Sequence, residues 1–180
     1  MIISDDTVNN VDGKNIYRML KTKYKNDDSK DEIKVQKKMR KVDASFYSYV
    51  SMNINGEDKN NGILNITSSF EGLDTELHLT INGGIINIDS QDDGINVNED
   101  NVSIVSFNGG TLNINAAKGA EGDGIDSNGY VVIAGSTLKI NNIRMPDNAI
   151  DSEKEYKVEV LEKTKQKYKS YDRNYGTYCA

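Results

Sequence analysis

The chain has 180 residues, of which 36% are hydrophobic, with three Phe and no Trp, so one domain with a modest and mainly aliphatic core is expected. The net charge of −6 is uneven: residues 42–153 carry 17 acidic and 4 basic side chains, whereas the remainder carries 11 acidic and 18 basic ones. The acidic middle argues against nucleic acid as the main partner, and no run of 18 apolar residues exists that could insert into a membrane.

The N-terminal part of the chain is polar. The N-terminus carries the acidic pair Asp5-Asp6 and lacks the apolar segment of a signal peptide, so the chain is either cytoplasmic or a fragment whose leader is missing. Residues 14–41 hold 11 of the 22 basic residues, and Ser29-Lys30-Asp31-Glu32 has the form of a capping box. We interpret this basic insert as a solvated loop, with a short helical cap on the fold as the alternative.

A double-glycine mark recurs along the middle of the chain. Gly83-Gly84, Gly109-Gly110 and Gly135-Ser136 are spaced by 26 residues each time, and a short alternating segment follows each mark. An earlier copy of this segment follows Gly62. Alternation with a period of two predicts strands with a common inner face, formed by Leu64, Ile66, Ile86, Ile88, Leu112, Ile114, Leu138 and Ile140. The outward positions between them are Asn65, Asn87, Asn113 and Lys139.

Two further strands complete each repeat. A four-residue motif that begins and ends with an acidic residue or asparagine recurs once per repeat. Its third residue is apolar and lies in one of the two strands, which gives an inward row of Leu73, Ile95, Ile125 and Ile150. The other strand precedes each double glycine and contributes Leu79 and Ile81, Val105 and Phe107, and Val131 and Ile133. Each repeat therefore holds three short strands joined by turns rich in Gly, Asn and Asp.

A repeat of about 26 residues with three strands cannot bury its apolar face alone and must stack on its neighbours. The sequence predicts an all-β fold, a right-handed single-stranded parallel β-helix with three strands per coil, over residues 48–152. Residues 1–47 are expected to form a partial first coil with the basic insert, and residues 153–180 a last strand and a charged, Tyr-rich tail. An antiparallel sandwich is the alternative, but a sandwich does not require the same residue type to recur at the same position of a repeat of constant length.

Acidic residues recur at two positions of each repeat, which we assign to turns. One row is Glu71, Asp93, Asp123 and Asn148, and the other is Asp74, Asn96, Asp126 and Asp151, with spacings of 22, 30 and 25 that make the register approximate. Stacked coils bring such residues about 4.8 Å apart, so a buried row needs a cation, a proton or an interposed amide. Asn96 and Asn148 occupy positions where such an amide would separate carboxylates. Oxygen ligands suit Ca²⁺, and the candidate ligands are Asp74, Asp92, Asp93, Asn96, Asp123, Asp126 and Asp151. The alternative is that these residues only form turns.

Transition metals find no suitable ligands in the sequence. His78 is the only histidine and Cys179 the only cysteine, and they are far apart in the chain. Because His78 alternates with Leu77 and Leu79, it is expected to face outward as an ordinary surface residue.

Two segments resemble a bacterial family described as carbohydrate-binding domain-containing proteins. They are Gly83–Asn96 and Gly122–Gly129, the latter followed by Val131-Val132-Ile133 and Gly135. Residues 5–13 and 44–56 look like that family's earlier coils. The resemblance implies an extracellular or cell-surface β-helix with a pectate-lyase-like fold that binds calcium and binds cellulose or acidic sugars. The chain departs from the family in its basic insert and in its C-terminal tail.

The resemblance leaves three functional readings. The first is non-catalytic binding of a polysaccharide such as a plant cell-wall glycan, cellulose or an acidic glycan. The second is a lyase or hydrolase that acts on polyuronates; its paired acids occur in reversed order compared with polygalacturonases, and the accompanying Gly-His-Gly and Arg-x-Lys motifs are absent from the sequence. The third is a structural or adhesive surface solenoid.

Binding is the reading that the residues fit best. Outward Asn65, Asn87 and Asn113 can donate and accept hydrogen bonds to sugar hydroxyls, unless the row satisfies itself. Tyr130 provides one of few aromatic platforms within the coils. Lys118, which is close in sequence to the acidic positions, is a candidate ligand-binding residue and would be the base in the lyase alternative. A polysaccharide is therefore the expected partner, and the acidic body would repel polyuronates unless calcium bridges the charges.

Overall fold

A computed structural model describes residues 1–13, 44–116, 122–142, 148–154 and 157–158, and all regular secondary structure within them is β. The strands are β1 (Ile2–Ile3), β2 (Val8–Gly13), β3 (Ala44–Ser48), β4 (Met52–Gly56), β5 (Ile63–Ser68), β6 (Glu71–Thr75), β7 (His78–Ile81), β8 (Ile85–Ser90), β9 (Ile95–Val97), β10 (Ile104–Phe107), β11 (Thr111–Ala116), β12 (Ile125–Ser127), β13 (Tyr130–Ile133), β14 (Thr137–Asn142), β15 (Ile150–Ser152) and β16 (Lys157–Val158). The helix that the capping box suggested lies outside the described residues, as does most of the C-terminal tail. None of the described residues forms a helix long and apolar enough to cross a bilayer.

The strands form three parallel sheets that each coil visits in turn. Sheet I has the order β1-β4-β7-β10-β13-β16, sheet II the order β14-β11-β8-β5-β2, and sheet III the order β15-β12-β9-β6-β3. Every strand pair is parallel, and consecutive strands in the chain belong to different sheets. The predicted β-solenoid with three strands per coil is thereby confirmed, and the antiparallel sandwich is excluded.

The strand register follows the sequence repeat. In sheet I, His78 pairs with Ile104 and Ile104 with Tyr130, which is one 26-residue step each time. Sheet III stays in register although its steps differ, because Leu73, Ile95, Ile125 and Ile150 pair in succession. The irregular spacings are therefore absorbed between the strands, and the rows of sheet III are aligned rather than approximate.

The interior of the coil stack is an aliphatic column. Alternation along β5, β8 and β11 buries every second residue, as the sequence pattern predicts. The largest fully buried side chains are Phe107, Ile54, Ile66, Leu73, Leu79, Ile81, Ile86, Ile88, Ile95, Leu112, Ile114 and Ile125. Leu138, Ile140 and Ile150, in the later coils, are only partly buried against this core.

The double glycines lie at corners where successive coils are in close contact. Gly84 and Gly110 have φ values of +87° and +86°, a left-handed conformation that strongly favours glycine. A Cβ added at Gly110 would lie 2.5 Å from the carbonyl oxygen of Gly84 in the preceding coil. In the first of these corners, Asn60 inserts its Oδ1 to accept a hydrogen bond from the Gly84 N–H. Glycine is therefore favoured at these two corners because a side chain there would collide with the neighbouring coil.

The first coil ends the stack with polar groups. Asn9 pairs with Leu64 and so occupies an inward position of β2, yet it is exposed. Its amide donates to Thr7 Oγ1 at 3.1 Å and to the Ile63 carbonyl at 3.4 Å. The polar residue suits this edge because no strand of the described chain pairs with β2 on its other side.

Candidate functional site

One of the two acidic rows lies on the outer side of sheet III. Because Leu73, Ile95 and Ile125 are buried in the core, the residues that follow them point away from it. These residues pair in the order Asp74, Asn96, Asp126 and Asp151. They belong to strands β6, β9, β12 and β15, so their expected assignment to turns was wrong, whereas the row itself is present. We call this surface, together with the adjacent row of Glu71, Asp93, Asp123 and Asn148, the acidic flank.

The other acidic row binds the backbone of the next coil. The Asp123 N–H donates to Asp93 Oδ1 at 2.5 Å, and the Asn148 N–H donates in the same way to Asp123 Oδ1. A backbone hydrogen bond joins the same two coils nearby, because the Gly94 N–H donates to the Asp123 carbonyl at 3.0 Å. Each carboxylate therefore fastens one coil to its successor.

Amide groups separate the carboxylates where the flank is most buried. Asn96 is 8% exposed and its Nδ2 donates to Glu71 Oε1 at 2.9 Å. Asn98 Nδ2 donates to Oδ1 of the fully buried Asp74 at 2.6 Å. The amide at Asn96 thus has the interposed position expected from the sequence, whereas the contribution of Asn98 could have been found only from the corner geometry.

Burial and like charges act together on Asp93. This side chain is 9% exposed, and burial raises the pKa of its carboxyl to about 8. The hydrogen bond from the Asp123 N–H opposes the rise, whereas the charges of Asp126, Asp92 and Glu71 add to it. Asp93 is therefore largely protonated at neutral pH when no cation is bound.

The acidic flank supplies the right donors for a hard cation, but not a closed ligand set. Within the part of the chain that the structure describes, no group of three or more His, Cys, Asp or Glu residues is placed to hold a metal ion. The buried Asn96 Oδ1 has no hydrogen-bond partner there and is an oxygen of the kind that Ca²⁺ accepts. Asp92, Asp123 and Asp126 are half-buried and Asp151 is exposed, so the seven candidate ligands differ in their exposure to solvent.

A second row of aligned side chains lies on the outer side of sheet II. Asn10, Asn65, Asn87 and Asn113 are in register, and Lys139 continues the row in β14. Each amide nitrogen donates to the Oδ1 of the preceding asparagine, at 2.8, 2.7 and 2.8 Å. The row is therefore an ordered hydrogen-bonded ladder, and we call this surface the amide flank.

A family model described as "Carbohydrate-binding domain-containing protein" matches residues 5–169. The chain belongs to this family. Comparison with curated proteins and comparison with solved structures each gave no match. Family membership indicates a carbohydrate as the partner.

The residues expected to bind the carbohydrate are not brought into one site. Asn65, Asn87 and Asn113 lie on the amide flank, whereas Tyr130 begins β13 in sheet I. Lys118 lies outside the described residues. The amide flank and the surface around Tyr130 are therefore separate candidate surfaces for a carbohydrate.

A second amide ladder was missed at the end of sheet I. Asn82 Nδ2 donates to Asn55 Oδ1 at 2.7 Å, and Asn108 Nδ2 donates to Asn82 Oδ1 at 2.9 Å. The recurrence of Asn directly before Gly83 and Gly109 is the signal that could have revealed it. His78 is half-buried and its Nδ1 accepts a hydrogen bond from the Ile104 N–H at 3.1 Å, so it contributes to coil stacking from its outward position.

Proposed function

We propose that this protein binds a polysaccharide without cleaving it, and that the amide flank is one surface on which the chain lies. The observation that carries the proposal is the ladder of Asn10, Asn65, Asn87 and Asn113, found in a member of a carbohydrate-binding family. A flat row of fixed amides suits an extended ligand because its hydrogen-bonding groups repeat at the coil spacing of about 4.8 Å.

The ladder keeps hydrogen-bonding capacity for a ligand. An asparagine amide has two N–H donors and an oxygen with two lone pairs. In the ladder, Asn65 and Asn87 each use one donor and one lone pair on their neighbours. The remaining donor and lone pair are available to sugar hydroxyls. Because the ladder fixes the amides before binding, little side-chain entropy is lost on association.

The sharpest test compares two amide ladders in the same molecule. We expect the wild-type protein to be retained on insoluble cellulose or on immobilised polygalacturonate. The variant Asn87→Ala/Asn113→Ala is expected to weaken retention by about tenfold or more, since it removes two amides that contact the ligand. The variant Asn82→Ala/Asn108→Ala is the control, because it disrupts a similar ladder at the end of sheet I and should lower stability without reducing retention.

The outcomes separate the three functional readings. No retention of the wild-type protein on either polymer contradicts carbohydrate binding and leaves a structural or adhesive role. Equal loss of retention in both double variants assigns the effect to stability and contradicts the amide flank as the surface. A rise in ultraviolet absorbance on incubation with polygalacturonate, which reports new double bonds, overturns the non-catalytic reading.

Stabilisation by Ca²⁺ on the acidic flank is a further part of the proposal. Its support is the oxygen-only chemistry of Asp93, Asn96, Asp123 and Asp126 and the burial of Asn96 Oδ1. A cation held there would stabilise the charged form of Asp93, whose pKa is raised first by burial and then by the neighbouring carboxylates.

Thermal unfolding tests the calcium proposal. At a calcium concentration one hundred times Kd, we expect the melting temperature to exceed that in a chelator by about 5–10 °C. Asp93→Asn should reduce this difference, whereas Asp58→Asn, which removes an exposed carboxylate in another loop, should leave it intact. Identical melting temperatures of the wild-type protein in calcium and in chelator contradict the proposal.

A further inference from the structure

The exposed apolar side chains of this protein are concentrated at two places. Met1, Ile2 and Val8 lie at the N-terminal end of the coil stack. The other large exposed apolar residues of the described chain are Tyr49, Val50, Val102, Ile104 and Tyr130, with exposed fractions of 58%, 63%, 53%, 38% and 43%. All five lie where the chain passes from sheet III to sheet I, so they share one edge of the stack.

This edge is continuous over four coils. Its segments are residues 48–52, 75–78, 97–104 and 127–130, which connect β3 to β4, β6 to β7, β9 to β10 and β12 to β13. Backbone bonds join them: the N–H groups of Glu76, Asn98 and Asn128 donate to the carbonyls of Ser48, Thr75 and Val97 at 2.9, 3.0 and 3.0 Å. Three coil spacings of about 4.8 Å give a strip about 14 Å long. We call this strip the apolar edge.

The two tyrosines lie at opposite ends of the strip. Tyr49 is in the first coil, where its ring packs edge-on against Tyr47 at a centroid distance of 4.9 Å. Tyr130 is in the fourth coil, directly in register with Ile104. The Tyr130 N–H donates to the Ser103 carbonyl at 2.8 Å, which fixes the backbone beneath the ring. The ring positions are therefore set by the coil stack.

The charge around the apolar edge selects among ligands. Its four segments contain Glu76, Glu99 and Asp100 but neither Lys nor Arg. The next coil adds the exposed Glu153 and the half-buried Lys154, whose N–H groups donate to the Ser127 and Gly129 carbonyls, so acidic groups still outnumber basic ones along the edge. Glu76 accepts a hydrogen bond from the Tyr47 hydroxyl at 2.6 Å, and Glu99 and Asp100 are exposed. A polyanionic glycan would be repelled by these carboxylates, and so would the same edge of a second copy of this chain. The edge therefore fits an uncharged ligand with apolar faces.

We propose that the apolar edge is a second carbohydrate-contact surface, and that its ligand is an uncharged polysaccharide whose pyranose rings stack on Tyr49 and Tyr130. Sugar rings present C–H groups on their faces, and these pack on exposed aromatic and aliphatic side chains while the hydroxyls at the ring edge stay hydrated. Exposed apolar strips on an otherwise polar surface mark binding sites. This inference rests on the proposed carbohydrate-binding function.

Affinity electrophoresis in native gels tests the inference with soluble hydroxyethyl cellulose and with polygalacturonate as probes. We expect the wild-type protein to bind the uncharged polymer. Tyr130→Ala is expected to weaken that binding by about fivefold to tenfold, and Tyr49→Ala/Tyr130→Ala by more. Ile104→Ala has a matched control in Ile2→Ala, because both isoleucines are exposed on the outer side of sheet I. Only Ile104→Ala should lower affinity.

The arms of the experiment distinguish this inference from the proposed function. If the wild-type protein binds the uncharged polymer, the tyrosine variants match it and Asn87→Ala/Asn113→Ala abolishes binding, the apolar edge is not a contact surface although the proposed function holds. Tighter binding to polygalacturonate than to hydroxyethyl cellulose in the presence of chelator overturns the ligand class. If neither polymer binds the wild-type protein, the proposed function fails and the inference falls with it. Sedimentation without polymer identifies self-association, and a tyrosine variant that changes only sedimentation overturns the inference.

Discussion

Asp93 is the residue of the acidic flank in which burial and neighbouring negative charges act together on one carboxyl group. Its carboxyl is buried beside other carboxylates, and its pKa in the folded protein, about 8, lies above the unfolded value of about 3.9. The unfolded chain therefore loses this proton at lower pH than the folded chain does. As pH rises between these two values, the contribution of Asp93 to stability falls, and above about pH 8 it stays constant.

The first prediction is that the metal-free protein becomes less stable as pH rises from 4 to 8. Asp93→Asn should flatten this dependence and raise the free energy of unfolding at pH 8 by at least about 1 kcal/mol, the equivalent of one pKa unit. Urea unfolding in the presence of a chelator measures the effect. Asp58→Asn, at an exposed position, is the control. If Asp93→Asn and the wild-type protein show the same slope, Asp93 does not titrate as described.

At the scale of the elements, the stack depends on corners as much as on strands. The strands bury their apolar residues on one side, and at the corners of Gly84 and Gly110 the neighbouring coil leaves no room for a side chain. Gly110 meets this condition with a φ of +86° beneath the coil of Gly84. The amide ladders act at the same scale, since each asparagine joins its own coil to the preceding one.

The second prediction concerns this corner. Gly110→Ala should lower the free energy of unfolding by about 2–4 kcal/mol, because the new Cβ meets the Gly84 carbonyl and the left-handed conformation disfavours alanine. Gly135→Ala is the matched control, since Gly135 is exposed and lacks a positive φ. It should change stability by less than about 1 kcal/mol. Chemical denaturation of the two variants decides between them, and equal losses contradict the steric account.

At the scale of the whole molecule, the stability of each coil in the solenoid depends on the coils that stack on it. Each coil contacts only the coil before it and the coil after it, so the outermost coils have half the support of those in the middle. Burial reflects this: Ile86 and Leu112 are fully buried, whereas Val11, Leu138 and Ile140 are only partly buried.

The third prediction is a gradient of protection along the stack. In hydrogen exchange, backbone amides of β8 and β11 should exchange at least about tenfold more slowly than those of β2 and β14 in the same sheet. The comparison within sheet II keeps strand length constant, since all four strands have six residues. Uniform protection across the four strands would show that the described coils open as a single unit.

The sequence alone determined the repeat, the three strands of each coil and the inner residues, because period-two alternation and a fixed step reflect the burial of one face in stacked coils. It also identified the members of the acidic rows and those of the asparagine row other than Asn10, since equivalent positions of a repeat must align. Only the tertiary structure decided which rows are buried. Burial of the outer side of sheet III, the hydrogen bond from Asn98 to Asp74 and the raised pKa of Asp93 depend on distances between side chains of different coils. The apolar edge was likewise invisible in the sequence, because Tyr49, Val102 and Tyr130 fall at different points of unequal corner segments and meet on one strip only when the coils stack.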